Sequence, residues 1–105
     1  MREVAQYTKE IGEVIIAVEP VNRFETNFLN IAEEALKYCK DVGIDNIKVH
    51  LDSLNMIREE LSFTQAVETC GKKYLGYVCE NNRGIPDTGL VPWEEFFIAL
   101  KKNWI

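Results

Sequence analysis

The stretch EVIIAVEPVNRFETNF, residues 13–28, decides how the rest of the chain is read. Its first part is a short apolar run rich in β-branched residues, which fits a strand better than a helix. Its second part packs two carboxylates, an arginine and an asparagine between Glu19 and Glu25. A buried strand that ends in such charge is either the rim of a site or a polar loop. The pattern around it predicts how that strand is used.

Residues 1–13 look like the end of a helix. After the VIIAVEP strand, Asn30 followed by Glu33 reads as a capping-box start, with Phe28, Ala32, Ala35, Leu36 and Cys39 at helical spacing. Gly43 stands where a C-terminal glycine stops a helix. IKVHLD (47–52) reads as a second strand. SFTQAVETCG (62–71) is a helix capped by Ser62 and ended by Gly71, and KYLGYVCE (73–80) is a third strand. NNRGIPDTGLV (81–91) is a loop by its Gly and Pro content. PWEEFFIALKKNW (92–104) is a helix with an acidic first turn and a basic last turn, which suits the helix dipole. Trp93, Phe97, Leu100 and Trp104 are expected on its buried face. The order α-β-α-β-α-β-α implies one α/β domain over residues 1–105 with parallel strands and helical crossovers.

Composition narrows the function. Of 105 residues, 47% are hydrophobic and 28% charged, as in a globular domain. The net charge of −5 comes without the basic stripe of a nucleic-acid binder. No apolar run approaches the ~20 residues of a membrane span, and the N-terminus lacks a signal-peptide core. Cys39, Cys70 and Cys79 are odd in number and widely spaced, so they read as free thiols in a reducing, cytoplasmic compartment rather than as a zinc site.

In parallel α/β folds function gathers at the C-terminal ends of strands. The first strand delivers Glu19, Asn22, Arg23 and Glu25. The second delivers Asp52 and Asn55. The third delivers Tyr77, Cys79 and Glu80, then Asn82 and Arg83. Glu19 and Asp52 are oxygen donors suited to a hard divalent cation. A charged rim held by ion pairs is the competing reading. The lone histidine, His50, shares the Asp52 side of its strand and reads as structural or solvent-facing rather than as a ligand. Lys48 shares that side too. A lysine inside a closed barrel is costly unless paired, which argues against closure at this strand.

At these residues the sequence resembles the ketose 3-epimerases, the D-tagatose/D-psicose 3-epimerase family among xylose isomerase-like TIM barrels. The matching stretches are AVEPVNRFETNFLN, VHLDSLNM, ENNRGIPDTG and VPWEEFFIALK, in the family's order and over nearly the whole chain. The resemblance implies a partial TIM barrel of about three β/α units preceded by a helix, beginning after the fourth barrel strand and ending after the seventh. It implies a ketose substrate and a divalent cation, commonly Mn²⁺, held by Glu, Asp, His and Glu. Two glutamates then move the C3 proton through a metal-stabilised enediolate.

Carried over by position, Glu19 matches the first ligand and catalytic glutamate, Asp52 the second ligand, and Glu25 and Arg83 the substrate contacts. Asn55 stands where the family has a substrate-binding histidine. Tyr77, six residues before Arg83, stands where it has the ligand histidine. The final glutamate belongs to an eighth strand not represented here. Metal-dependent endonucleases of the same superfamily have histidine-rich sites, and one histidine excludes that reading. The resemblance implies a chain weak or inactive as an epimerase by itself. The alternatives are a non-catalytic oligomerising α/β module, or half of a two-chain barrel. Three parallel strands leave two open edges and a bare face, which a second copy or a complementary barrel fragment would cover.

Overall fold

Among the described residues three short strands form a single sheet in the order β1-β2-β3, all parallel. A computed structural model describes residues 1–80 and 85–105. The elements are α1 (Arg2–Ile11), β1 (Ile16–Val18), α2 (Ala32–Val42), β2 (Ile47–Asp52), α3 (Ser53–Glu59), α4 (Phe63–Tyr74), β3 (Leu75–Cys79) and α5 (Trp93–Asn103). The expected α/β order with parallel strands and a leading helix is therefore observed, with α3 added between Asp52 and Ser62.

Helix α3 is missed by pattern because no Gly or Pro separates it from its neighbours. Asp52 starts it: its Oδ1 accepts from the Leu54 N–H at 2.9 Å. The start of α2 also needs correction. Its N-cap is Ile31 rather than Asn30, and Glu34 rather than Glu33 reaches back, accepting from the N–H groups of Asn30 and Ile31. Asn30 instead uses its amide on the loop, donating to the Val21 and Thr26 carbonyls. The Ser62 cap of α4 is as expected, accepting from Gln65 N–H at 3.1 Å. Gly43, at φ 76°, closes α2 in the left-handed region that glycine adopts freely. Gly71, at φ 62°, breaks the helical geometry of α4.

The core lies on one side of the sheet. Ile47, Val49 and Leu51 of β2 alternate toward α2 and α4, where Ala35, Cys39, Val67 and Cys70 meet them. Burial of each such aliphatic side chain contributes about 1.5–3 kcal/mol. Helix α5 packs on α4, with Phe96 edge-on to Phe63 at 5.1 Å. Its buried stripe is Trp93, Phe96, Ala99 and Leu100. Phe97, expected inside, is 48% exposed and stacks on Trp93, while Phe96 takes the buried position between Trp93 and Leu100. Phe28, expected in the α2 stripe, is exposed and touches Tyr38 edge-on. Helix α1 docks through Arg2, which donates to the Val42 and Asp41 carbonyls, and through buried Asn46.

The other face of the sheet carries Lys48, His50 and Asp52, and no helix among the described residues covers it. Lys48 is accommodated there by donating its Nζ to the Lys73 carbonyl. The pairing of β2 with β3 is irregular. Val49 faces Leu75, but His50 faces Tyr77, Leu51 faces Val78 and Asp52 faces Cys79. Gly76 is thus the extra residue of a bulge. A Cβ built there would stand 2.5 Å from the Lys48 Cβ.

Gly76→Ala is accordingly expected to cost roughly 1–3 kcal/mol, the usual scale of overpacking. Urea denaturation checks this, and an unchanged midpoint would show that the close approach carries no constraint.

Candidate active site

The three strand ends converge on the bare face. Glu19 follows β1 directly, Asp52 ends β2 and Cys79 ends β3. His50 lies two residues before Asp52 on the same side of β2. Its Nδ1 is 3.7 Å from Glu19 Oε2, and its Nε2 is 3.0 Å from Cys79 Sγ. The Tyr77 ring stands edge-on to the imidazole at 4.8 Å. Asp52 is only 3% exposed and also hydrogen-bonds the Cys79 thiol.

Partial burial raises the Glu19 pKa above its ordinary value. His50 opposes that rise, and the Asp52 and Glu25 carboxylates add to it. The Cys79 thiol is pushed up to about 12, first by burial and then by the charges of Asp52, Glu19 and Glu80 around it. Both effects have one source: negative charge is concentrated where little water reaches.

The loop after β1 is clamped from the α3 side. Asn55, 6% exposed, accepts through Oδ1 from the Asn22 backbone N–H at 3.0 Å and from Asn22 Nδ2 at 2.8 Å. Arg23 lays its guanidinium on Glu59 with contacts of 3.0–3.1 Å, and its N–H reaches Glu59 Oε2 at 2.8 Å. Glu25 is exposed on this loop, with its N–H bonded to the Asn22 carbonyl at 3.0 Å.

The structure thus gathers Glu19 and Asp52 at one face and keeps Glu25 near them. Asn55, expected to meet substrate, has its carbonyl engaged by Asn22. Tyr77, expected at the level of the metal, is 54% exposed and pairs in register with His50, one step below Asp52. Cys79 takes the place beside Asp52. Arg83 lies outside the described residues. Two residues emerge with larger roles than the sequence suggested, His50 and Cys79. The signal for both was alternation, since each sits two residues from a residue already singled out on its strand.

A hard cation such as Mn²⁺ finds a poor fit. The oxygen donors from the first two strand ends are Glu19 and Asp52, while the third presents a thiol. Oxygen-seeking cations do not favour sulfur. Among the described residues, no group of three or more His, Cys, Asp or Glu side chains is arranged to hold a metal ion.

Parallel β/α units with a charged cluster at their C-terminal strand ends are the construction of a TIM-barrel segment. The sequence pattern of the xylose isomerase-like TIM barrels matches residues 1–104, and the chain belongs to that family. The relatives it matches include ketose 3-epimerases. The D-psicose 3-epimerase of Agrobacterium fabrum is 40% identical over 100 residues, covering 93% of this chain and 34% of the relative. The L-ribulose 3-epimerase of Mesorhizobium japonicum is 39% identical over 102 residues, covering 95% and 34%.

Solved structures agree. A D-psicose 3-epimerase crystallised in the presence of D-fructose superposes with a TM-score of 0.90 at 36% identity, covering 97% of this chain and 35% of that one. The D-allulose 3-epimerase of Methylomonas sp. in complex with D-allulose gives 0.89 at 38% identity, covering 97% and 35%. The chain spans about a third of the length of the curated relatives it matches.

Two predictions follow from the geometry. Asn55→Ala leaves the Asn22 donors buried without an acceptor. It should cost about 1–3 kcal/mol, read by chemical denaturation, and Asn55→Asp should cost less. Glu19 has a folded-state pKa above its unfolded value, so the folded chain binds more protons and loses stability as pH rises through the carboxylate range. Glu19→Gln should therefore raise Tm at neutral pH, and the gain should vanish at acid pH. A gain of equal size at both would point to packing instead.

Proposed function

We propose that this chain supplies one wall of a ketose 3-epimerase-type site, with Glu19 as the group that exchanges the C3 proton of a ketose. The observation that carries the reading is the gathering of Glu19, His50 and Asp52 at the C-terminal ends of parallel strands, within a sequence 40% identical to a D-psicose 3-epimerase. A carboxylate whose pKa is raised by burial is a stronger base than a solvated one, which suits removal of a proton next to a carbonyl. In this reading Asp52 fixes negative charge beside the reacting carbons, Glu25 and Arg83 contact the sugar, and Asn55 holds the loop that carries Glu25. The family's divalent cation fits these donors poorly, so no step is drawn through it. The free thiols agree with a cytoplasmic reaction.

By itself the chain is expected to be a poor catalyst. The described residues form three strands where a closed barrel has eight, so a sugar held by them alone would meet solvent on most sides. The outer edge of β1 supports association with further β/α units, from a second copy or a complementary barrel fragment. A groove of about 430 Å³ runs along that edge beside Glu19, lined by Ile16, Val18, Val21, Phe28, Leu29 and Tyr38. A non-catalytic module that associates through the same edge is the second reading.

The test is hydrogen exchange at C3. D-psicose or D-fructose is incubated with the chain in deuterated water, and the recovered sugars are analysed by NMR. Slow incorporation of deuterium at C3, lost in Glu19→Gln, is the expected result. Exchange that persists in Glu19→Gln would remove Glu19 from the chemistry, and its complete absence would favour the non-catalytic module. Light scattering that gives a single-chain mass would count against edge-mediated association.

A further inference from the structure

A second concentration of charge lies at the opposite end of β2 from Asp52. A cavity of about 220 Å³ opens there between the end of α2 and the end of α4, lined by Lys40, Gly43, Ile44, Lys48, Lys73 and Tyr74. We propose that this cavity binds a small phosphate dianion, free or as the phosphoryl group of a metabolite, through the ammonium groups of Lys40 and Lys73. The inference is independent of the epimerase reading, since no residue of the strand-end cluster takes part.

The first support is charge. The chain carries a net charge of −5, yet lysines from α2, β2 and α4 meet at this one cavity. The carboxylates near them are engaged elsewhere. Asp45, in the cavity wall, is turned to Lys9 at 2.9 Å, and Asp41 pairs with Lys37 at 2.9 Å. Among the described residues, Lys40, Lys48 and Lys73 form no ion pair. The Cys39 thiol, also in the wall, is pushed up to about 11 by burial, so it adds no negative charge at neutral pH.

The second support is what the lysines already do. A lysine at a helix C-terminus ordinarily answers the helix dipole and the unpaired carbonyls there. Here Lys48, which comes from the strand, takes the Lys73 carbonyl at the end of α4. The end of α2 is closed by backbone, with the Gly43 N–H donating to the Cys39 carbonyl at 3.1 Å. The ammonium groups of Lys40 and Lys73 are left to share one tyrosine. Their Nζ atoms stand 5.8 and 5.2 Å from the centre of the Tyr74 ring. Such contacts are weak at exposed sites, and they gather two like charges around one ring with no anion to offset them.

The ligand class follows from that pair. A phosphate group carries roughly −1.5 to −2 charges at pH 7 and at least three acceptor oxygens. It can meet both ammonium groups at once. Lysine suits it as a point charge with three donors on a flexible stem, so neither backbone need move. A monovalent anion in the same place gains less from two cations.

Phosphate titration followed by NMR tests the site. The ¹⁵N-labelled full chain is titrated with sodium phosphate at constant ionic strength. The expected result is a set of amide shifts that saturates at one phosphate per chain and centres on Gly43, Ile44 and Tyr74, while Glu19 and Asp52 stay unmoved. Lys40→Ala and Lys73→Ala should each weaken binding roughly tenfold, the scale of one charge-assisted hydrogen bond. Lys102→Ala, the same change of charge at the end of α5, should leave the affinity unaltered. All three lysines are exposed, so the variants keep the fold, and circular dichroism checks this.

Raising the ionic strength should weaken binding, because the contact is made between partly solvated charges. Glycerol 3-phosphate separates the two sources of the dianion. Tighter binding of the ester assigns the phosphoryl group of a metabolite, and equal or weaker binding assigns the free ion. Shifts that fail to saturate at millimolar phosphate, an equal loss of affinity in Lys102→Ala, or binding that survives the combined loss of Lys40 and Lys73 would each overturn the proposal.

Discussion

The alternation of β2 governs the whole arrangement. Ile47, Val49 and Leu51 turn to the helices, and Lys48, His50 and Asp52 turn to the bare face. As the central strand, β2 is hydrogen-bonded on both edges. A slip of one residue would put lysine, histidine and aspartate into the apolar layer and expose the aliphatic residues. The core therefore locks the polar face in place. That face needs no packing of its own to hold its side chains at the strand ends.

Two features modulate this frame. The bulge at Gly76 resets β3 against β2, so that Cys79 and not Tyr77 stands next to Asp52. The clamp of Asn55 and Glu59 on Asn22 and Arg23 fixes the loop beyond Glu19 to the following helix. One sets which atoms meet at the cluster, and the other sets the shape of the wall beside it. Glu19 sits between them and takes its raised proton affinity first from burial.

Most of the framework was legible in the sequence, because it rests on local chemistry. β-Branched runs marked the strands, Ser62 and Gly43 marked helix ends, and alternation placed Asp52 with His50 and Lys48. What escaped depends on how strands meet. Helix α3 has only seven residues and no punctuation before it, so VHLDSLNM showed its motif without its helix. The bulge cannot be read from KYLGYVCE, since it arises where Gly76 lies against Lys48 of a neighbouring strand. The Asn30 cap failed by one residue because its side chain had stronger partners in the loop.

The Arg23–Glu59 clasp has a consequence for how such a barrel is assembled. The wall after β1 is anchored forward, to the next β/α unit, through a paired guanidinium and carboxylate and two asparagines. None of these bonds reaches back toward a preceding unit. Adjacent units of the sheet thus carry their own mortar, so the loop can hold its shape before the ring around it is closed. A chain built this way can order the wall beside the strand-end cluster early in folding and leave closure as the later event.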